Sequence, residues 1–373
     1  MPNLKDRFKT IIFNIPGWHT LRKIIVFESD DWGSIRIPSK EAYEYLKDIG
    51  YPIEKTSYGK DSLESNKDLT SLLEVLSSYK TFNGQNPIFT LNILVANPDF
   101  GKIRQVKFKE YYYEPFIKTY ERYPNHNLSQ ILIKEGIKNN LFKPQLHGRE
   151  HLNVGRWLDN LQNGNSGIMN LFDHEMYGLP QFLSTDYKKT FQCAFDFNSQ
   201  SEIIIYSKII TEACNLFEKI WGFRSLSFIS PNFLWDSNIE EFLEKNGIKF
   251  IQGQRAQITR CSNNQYKAKY HYTGQKNSLG QIYLVRNCYF EPTFYSGKYT
   301  TDSCLSQISS SFQLRKPAII STHRVNYIGG IDERNRDKGL RELLKLLTAI
   351  LKKWPDVEFM SSDQVGELIS VST

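Results

Sequence analysis

The sequence predicts an α/β protein folded as a distorted (β/α) barrel of about seven or eight parallel strands with loop insertions. Short apolar runs rich in β-branched residues alternate with segments whose apolar residues recur at helical spacing. Such alternation is typical of parallel sheets whose strands are joined by helices. The number of these units favours a barrel over an open sheet.

The predicted strands are short apolar runs bounded by turn residues, at 23–29, 87–95, 144–147, 191–197, 225–230, 248–251, 282–286, 317–322 and 357–360. The predicted helices lie at 39–49, 69–79, 110–122, 128–139, 152–161, 201–220, 238–246 and 340–354. In the last helix the leucines form one apolar face, and Pro355 ends it. The polar stretch at 253–280 is interpreted as an insertion.

Length and composition fit one domain over 1–373. The chain has 373 residues, of which 40% are hydrophobic and 14% aromatic, enough for a sizeable core. It contains no run of eighteen apolar residues, so we expect no transmembrane span. The first twenty residues carry charges and lack the apolar segment of a secretory signal. We therefore expect a cytoplasmic protein.

The net charge of +7 is spread along the chain rather than gathered in blocks. This charge permits an anionic ligand or peripheral contact with a membrane surface, and we expect no nucleic-acid partner. The five cysteines are widely spaced and form no CxxC pair. They are expected to be reduced core thiols rather than a disulfide framework or a thiolate zinc site. The sequence does not predict an oligomeric state.

Two adjacent carboxylates, Asp30 and Asp31, end the first predicted strand. In parallel α/β proteins active sites are built at the carboxyl ends of the strands. Like charges this close require a cation or a shared proton. The alternative is a loop-capping pair, with an Asx turn and a helix N-cap.

Two histidines four residues apart, His147 and His151, form the second candidate. On a helix or tight turn this spacing puts both rings on one side, which suits two nitrogen ligands of one metal ion. Gly148 stands where the glutamate of the HExxH motif would follow the first histidine, so a metalloprotease helix is disfavoured. Two surface or capping histidines are the alternative.

His323 is the third candidate because it directly follows the late predicted strand at 317–322. In a parallel barrel it falls on the same rim as Asp30 and Asp31. A histidine that faces a metal and an acid there is suited to donate a proton. A lone structural histidine is the alternative.

The three motifs, in this order, resemble those of the polysaccharide deacetylase family, which are metal-dependent carbohydrate esterases with a distorted (β/α) barrel. Asp30 and Asp31 match the family's Asp-Asp pair, and residues 147–151 match His-[Ser/Thr]-x-x-His. Residues 320–323 match its last strand, which runs into a histidine. The resemblance spans the chain from residue 24 to about residue 368.

The resemblance implies a role for each matched residue. Asp31, His147 and His151 would bind one divalent metal ion, most commonly zinc. Asp30 would be the general base that takes a proton from the attacking water. His323 would be the general acid that protonates the leaving group.

Further substrate contacts are expected at the same rim. The backbone N–H of Phe233, in the loop after a middle strand, would stabilise the oxyanion, and the neighbouring Asn232 and Arg224 would contact substrate. Large aromatic side chains near the predicted rim are candidates for stacking on a sugar, namely Trp32, Trp235 and Tyr327.

The sequence departs from the family pattern in two places that affect proton transfer. Ile229 stands where an arginine usually orients the catalytic aspartate, so Arg224, Arg286 and Arg324 are candidates to replace it. No acid lies near 251–254, where the family's Asp-rich motif tunes the acid histidine.

The sequence therefore predicts a metal-dependent deacetylase of a sugar or glycan precursor, most simply an N-acetyl one, in surface-polysaccharide or lipopolysaccharide assembly. A barrel that binds acetylated glycans without hydrolysis is the rival hypothesis, because of the two departures. A third hypothesis is hydrolysis of a different C–N bond in the same pocket.

Overall fold

The computed structural model describes residues 15–177, 190–197, 199, 202–261 and 265–372. Numbered along the chain, its strands are β1 (Ile24–Trp32), β2 (Phe89–Leu94), β3 (Ala96–Pro98), β4 (Tyr113–Pro115), β5 (Phe142–Gly148), β6 (Ser227–Ile229), β7 (Phe250–Gly253), β8 (Ala256–Arg260), β9 (Tyr266–Tyr270), β10 (Ile282–Val285), β11 (Cys288–Tyr289), β12 (Ala318–His323) and β13 (Glu358–Phe359).

The helices of the described residues are α1 (Lys40–Asp48), α2 (Asn66–Ser77), α3 (Phe100–Gln105), α4 (Phe116–Arg122), α5 (Ser129–Lys138), α6 (Val154–Gln162), α7 (Ser166–Asp173), α8 (Ile203–Trp221), α9 (Ser237–Lys245), α10 (Thr301–Gln313), α11 (Glu333–Lys353) and α12 (Ser362–Ser372). In the described part of the chain no helix combines the length and the apolar character needed to cross a bilayer.

One curled parallel sheet runs in the order β10-β7-β6-β5-β2-β1-β12-β11, and β13 adds a short parallel pairing to β1. The predicted distorted (β/α) barrel is confirmed, because every pairing between strands of this sheet is parallel and helices join most of them. The exceptions are β7 to β10, joined by the β8–β9 hairpin, and β10 to β11, joined by two residues. Hairpins β3–β4 and β8–β9 are separate antiparallel pairs. The second hairpin falls within the stretch interpreted as an insertion, of which residues 262–264 lie outside the described residues.

The barrel interior is layered along β1, because alternate residues of a strand face the same side. Ile24 and Val26 lie at the bottom, in an apolar cluster that α12 closes with Val365. Glu28 and Asp30 follow on the same face and are buried. The interior therefore changes from apolar to charged toward the carboxyl rim. On the opposite face, the other apolar residues of β1 join the large core beneath the helices.

The predicted strand at 191–197 is wrong. These residues are buried, but they form turns outside the sheet. Their carbonyl groups are bonded by Asn153 instead, whose side-chain amide donates to the oxygens of Cys193 and Asp196 at 3.2 and 2.7 Å. A short buried apolar run has no periodicity that distinguishes a strand from a packed turn.

Other boundaries also differ from the prediction. The helix predicted at 110–122 is only the seven-residue α4, because residues 113–115 pair with β3. Helices α3, α7, α10 and α12 were not predicted. Helix α12 contains Gly366 and has serine at both ends. Its composition therefore does not predict a helix, and tertiary packing stabilises it.

Two helical glycines allow the packing of α11 to be tested. A Cβ on Gly339 would lie 1.6 Å from the backbone oxygen of Asn326, whereas a Cβ on Gly155 meets nothing within 4 Å. We expect Gly339→Ala to lower the free energy of unfolding by about 1–3 kcal/mol, the usual cost of overpacking. Gly155→Ala is expected to raise it, by up to about 1 kcal/mol. Urea denaturation of both variants measures the difference, and equal effects would show that α11 does not approach this loop.

Candidate active site

A cavity of about 220 Å³ opens at the carboxyl rim, among the ends of β1, β5 and β12. It gathers most of the residues singled out in the sequence, namely Asp30, Asp31, His147, His151, Asn232, Phe233 and His323. In the parallel pairing of β1 with β12, Asp30 lies directly opposite His323. Motifs almost three hundred residues apart are therefore neighbours at one end of the sheet.

A local irregularity in β1 turns both aspartates into this cavity. Neighbouring strand residues normally face opposite sides. Here the pairing of β1 with β2 shifts between Ser29 and Trp32, and Asp31 has a φ of 77°. Positive φ is unusual for aspartate and is associated with functional sites. The bulge thus explains how two adjacent carboxylates serve one pocket.

Asp31, His147 and His151 bring three donor atoms within 4.8 Å of one another, and all three side chains are buried. Oδ1 of Asp31 lies 3.5 Å from Nε2 of His147 and 3.7 Å from Nε2 of His151. The Nδ1–H of His147 donates to the carbonyl oxygen of Ile229 at 3.0 Å. This bond orients the ring and leaves Nε2 free to bind a metal ion.

The donor set fits a divalent metal ion. Two imidazoles and one carboxylate are ligands found in catalytic zinc sites, and other transition metals accept them too. Burial and the nearby guanidinium of Arg36 lower the pKa of His151 well below its ordinary value, so this ring is neutral, as a ligand must be. Burial raises the pKa of Asp31, but Arg36 and the two histidines outweigh it and hold that pKa well below normal.

Arg36 is a cavity residue that the sequence did not single out. Its Nη2 donates to Oδ1 of Asp31 at 3.0 Å, its Nη1 donates to the side chain of Gln192, and its Nε lies 3.5 Å from Oδ2 of Asp61. The guanidinium therefore balances Asp31 and restricts how that carboxylate can rotate. No spacing pattern marks Arg36, because it lies in an irregular loop.

Arg286 holds Asp30 in place. Its Nη1 and Nη2 donate to the two oxygens of Asp30, each at 2.7 Å, and its Nε donates to Glu28 at 2.6 Å. Asn92 gives Asp30 a further hydrogen bond at 2.8 Å. Burial raises the pKa of Asp30, but Arg286 outweighs it and keeps that pKa below its ordinary value. Of the three arginines considered for the missing family position, Arg286 is the one bonded to Asp30.

Glu291 holds His323 in place, as Arg286 holds Asp30. The Nδ1–H of His323 donates to Glu291 at 2.6 Å, and Nε2 lies 3.8 Å from Oδ2 of Asp30. The other oxygen of Glu291 accepts from Asn326 at 2.6 Å. Burial lowers the pKa of His323, but Glu291 and Asp30 raise it overall to about 9. The acid absent near 251–254 is thus replaced by one that follows β11.

The loop after β6 corrects one expectation. The N–H of Phe233 donates to the carbonyl oxygen of Ser230 at 3.0 Å within a short 3-10 turn, so it does not point a free donor into the cavity. The side-chain amide of Asn232 donates to Sγ of Cys193 at 3.4 Å. Both Asn232 and Phe233 have positive φ, near 54°, which is strained for a non-glycine residue.

Several predicted substrate contacts do not line the cavity. Trp32 is 1% exposed, and its indole N–H donates to Ser29. Arg224 is exposed and pairs with Glu218. Trp235, Tyr327 and Arg324 are buried among other partners. The buried side chains of this group therefore pack within the barrel, and Arg224 lies on its surface. The aromatic residues that do line the cavity are Tyr58, Phe233, Tyr289, Phe294 and Tyr299.

No protein-family model matches the sequence, and no curated protein matches it. Solved structures do resemble it. An allantoinase aligns over 94% of this chain and 91% of its own, with a TM-score of 0.45 and 11% identity. A polysaccharide deacetylase from Bacillus cereus aligns over 77% and 68%, with a TM-score of 0.32 and 14% identity. A 4-alpha-glucanotransferase from Thermococcus litoralis aligns over 94% and 40%, with a TM-score of 0.44 and 10% identity.

Polysaccharide deacetylases are thus among the solved structures that the chain resembles. The chain spans 40% of the glucanotransferase. At such identities and TM-scores these similarities say nothing of substrate or mechanism, which have to be derived from the cavity.

Replacement of Glu291 tests the origin of the His323 pKa. In chelator-treated protein, Glu291→Gln is expected to lower the pKa of His323 from about 9, because burial is then opposed only by the more distant aspartates. The folded-state pKa lies above the unfolded value, so the pair stabilises the fold below about pH 6.5 and loses that contribution as pH rises through about 9. NMR titration of the ring measures the pKa.

The matched control is Glu175→Gln, which removes a carboxylate bonded to Arg122 outside the cavity. It should leave the His323 titration where it is in the unmodified protein. An unchanged titration in Glu291→Gln would assign the raised pKa to Asp30 instead.

Proposed function

We propose that this protein is a metal-dependent deacetylase that hydrolyses an acetyl group, most simply an N-acetyl group, from a sugar or glycan precursor. The observation that carries the proposal is the cavity, where a metal donor set lies beside a carboxylate held ionised and an imidazole held protonated. Pairs of titratable groups with pKa values pushed apart are characteristic of acid–base catalysis. A cytoplasmic setting in surface-polysaccharide or lipopolysaccharide assembly is part of the proposal.

Asp31, His147 and His151 would hold one divalent ion, and these ligand types suit zinc. When bound, such an ion acidifies water and polarises a carbonyl group. The carbonyl of Ile229 keeps Nε2 of His147 available, and Arg36 keeps Asp31 ionised. The protein thus supplies deprotonated ligands at neutral pH, which metal binding requires.

Asp30 and His323 would divide the proton transfers between them. Asp30 takes a proton from the attacking water as the water oxygen bonds to the acetyl carbon. The bond from that carbon to the sugar nitrogen then breaks, and His323 gives its Nε2 proton to the leaving nitrogen. The products are acetate and the free amine. The depressed pKa of Asp30 and the raised pKa of His323 support these starting protonation states at neutral pH.

The rival hypothesis, glycan binding without hydrolysis, depends on the missing arginine and the missing acid of the family pattern. Arg286 and Glu291 make the corresponding contacts to Asp30 and His323 from other parts of the chain. These contacts favour an active enzyme over a binding module. Hydrolysis of a different C–N bond is distinguished by its product, since it releases ammonia or another amine without acetate.

Metal content tests the donor set directly. We expect close to one equivalent of a divalent metal in the wild-type protein and its loss in His147→Ala/His151→Ala, since two of three ligands are gone. Elemental analysis after dialysis measures both. His174→Ala, which removes a histidine outside the cavity, is the control and should retain the metal. A wild-type protein that stays metal-free after reconstitution would contradict the proposal.

Acetate release tests the chemistry. Asp30→Asn should lower turnover of an acetylated amino sugar by about 10²–10⁴-fold, the usual contribution of a general base, while metal content stays near one equivalent. Coupled quantitation of acetate, with ammonia measured in parallel, identifies the bond that is broken. Full activity in Asp30→Asn would show that another group removes the proton.

A further inference from the structure

Tyr58 lies in the irregular segment between α1 and α2 and lines the cavity. Its ring meets the ring of His323 edge-on at 5.4 Å and that of Phe294 at 5.2 Å. The guanidinium of Arg36 lies 5.6 Å from the centre of the same ring. Since Arg36 is bonded to Asp31, Tyr58 lies between the side of the cavity that carries His323 and the side that carries the metal donor set.

The hydroxyl of Tyr58 has no hydrogen-bond partner among the residues that the structure describes. Tyr58 is half-buried, so a hydroxyl that no described protein group bonds at this cavity wall is a candidate ligand contact. Burial, together with Asp31 and Glu291, raises the pKa of this phenol well above its ordinary value. The group is therefore a donor at every pH at which the enzyme would work.

The cavity also lacks the donor that the sequence led us to expect. The backbone N–H of Phe233 is bonded to Ser230 within its own turn. Acyl transfer places negative charge on the carbonyl oxygen, and preorganised donors, including tyrosine hydroxyls, stabilise that charge. A neutral O–H that is already positioned by three neighbouring groups meets this requirement without reorganisation.

We propose that the Tyr58 hydroxyl donates a hydrogen bond to the acetyl oxygen of the substrate as negative charge develops on it. This inference rests on the proposed deacetylase function and adds to it a substrate-contacting residue from the segment between α1 and α2. Such a contact is stronger in the transition state than in the ground state, so it acts on kcat rather than on KM.

The test is Tyr58→Phe, which keeps the ring packed against His323 and removes only the hydroxyl. We expect kcat and kcat/KM for an acetylated amino sugar to fall together by about 10²–10³-fold, with KM unchanged. Metal content should remain that of the wild type, which shows that the donor set is intact. Tyr295→Phe is the matched control, because Tyr295 is exposed and lies outside the cavity.

Each result separates this inference from the function on which it rests. A rise in KM at constant kcat would assign the hydroxyl to ground-state recognition of the sugar and overturn the carbonyl contact. Unchanged kinetics beside an active wild type would overturn the inference and leave the deacetylase intact. A metal-loaded wild type that releases no acetate from any acetylated sugar would overturn both.

Discussion

The site depends on one buried cation, Arg286, which lies in the two-residue link between β10 and β11 and binds two acids of β1. It follows β10 at one end of the sheet order, yet it binds Glu28 and Asp30 near the other end. Charges in such a position are costly unless they are paired and hydrogen-bonded, and loss of one partner leaves the others uncompensated. The sheet must curl for these residues to meet. The curl of the sheet therefore brings Arg286 to Asp30, and Arg286 in turn keeps that carboxylate ionised.

Each acid at the rim of the cavity is paired with its own cationic side chain. Asp30 has Arg286, Asp31 has Arg36, and Glu291 has His323. Without these pairings, burial would raise the pKa of every one of these carboxylates, and it still raises that of Glu291 in spite of His323. With them, the cavity holds two ionised aspartates and a protonated histidine in close contact at neutral pH. That combination gives acid–base chemistry a physical basis, independent of any resemblance to known proteins.

Much of the framework is visible in the sequence because strands and amphipathic helices have their own periodicities. The run ending at Asp30 and Asp31, the helix before Pro355 and the strand ending at His323 all lie where the pattern predicts them. The stretch at 191–197 does not form the predicted strand, since Asn153 rather than a neighbouring strand bonds its carbonyl oxygens at Cys193 and Asp196. A short apolar run in the sequence indicates that a segment is buried, but it does not indicate which groups its backbone bonds to.

The sequence by itself determined the order of the motifs, the parallel α/β class and the residue types available for metal and proton chemistry. Only the tertiary structure decided which arginine and which acid serve Asp30 and His323, that Phe233 has no free N–H, and that Tyr58 faces the cavity. The reason is that Arg286, Glu291 and Tyr58 lie in loops or at strand ends, where no sequence periodicity indicates which way a side chain points. Their partners are set by the curl of the sheet and by the need to pair every buried charge.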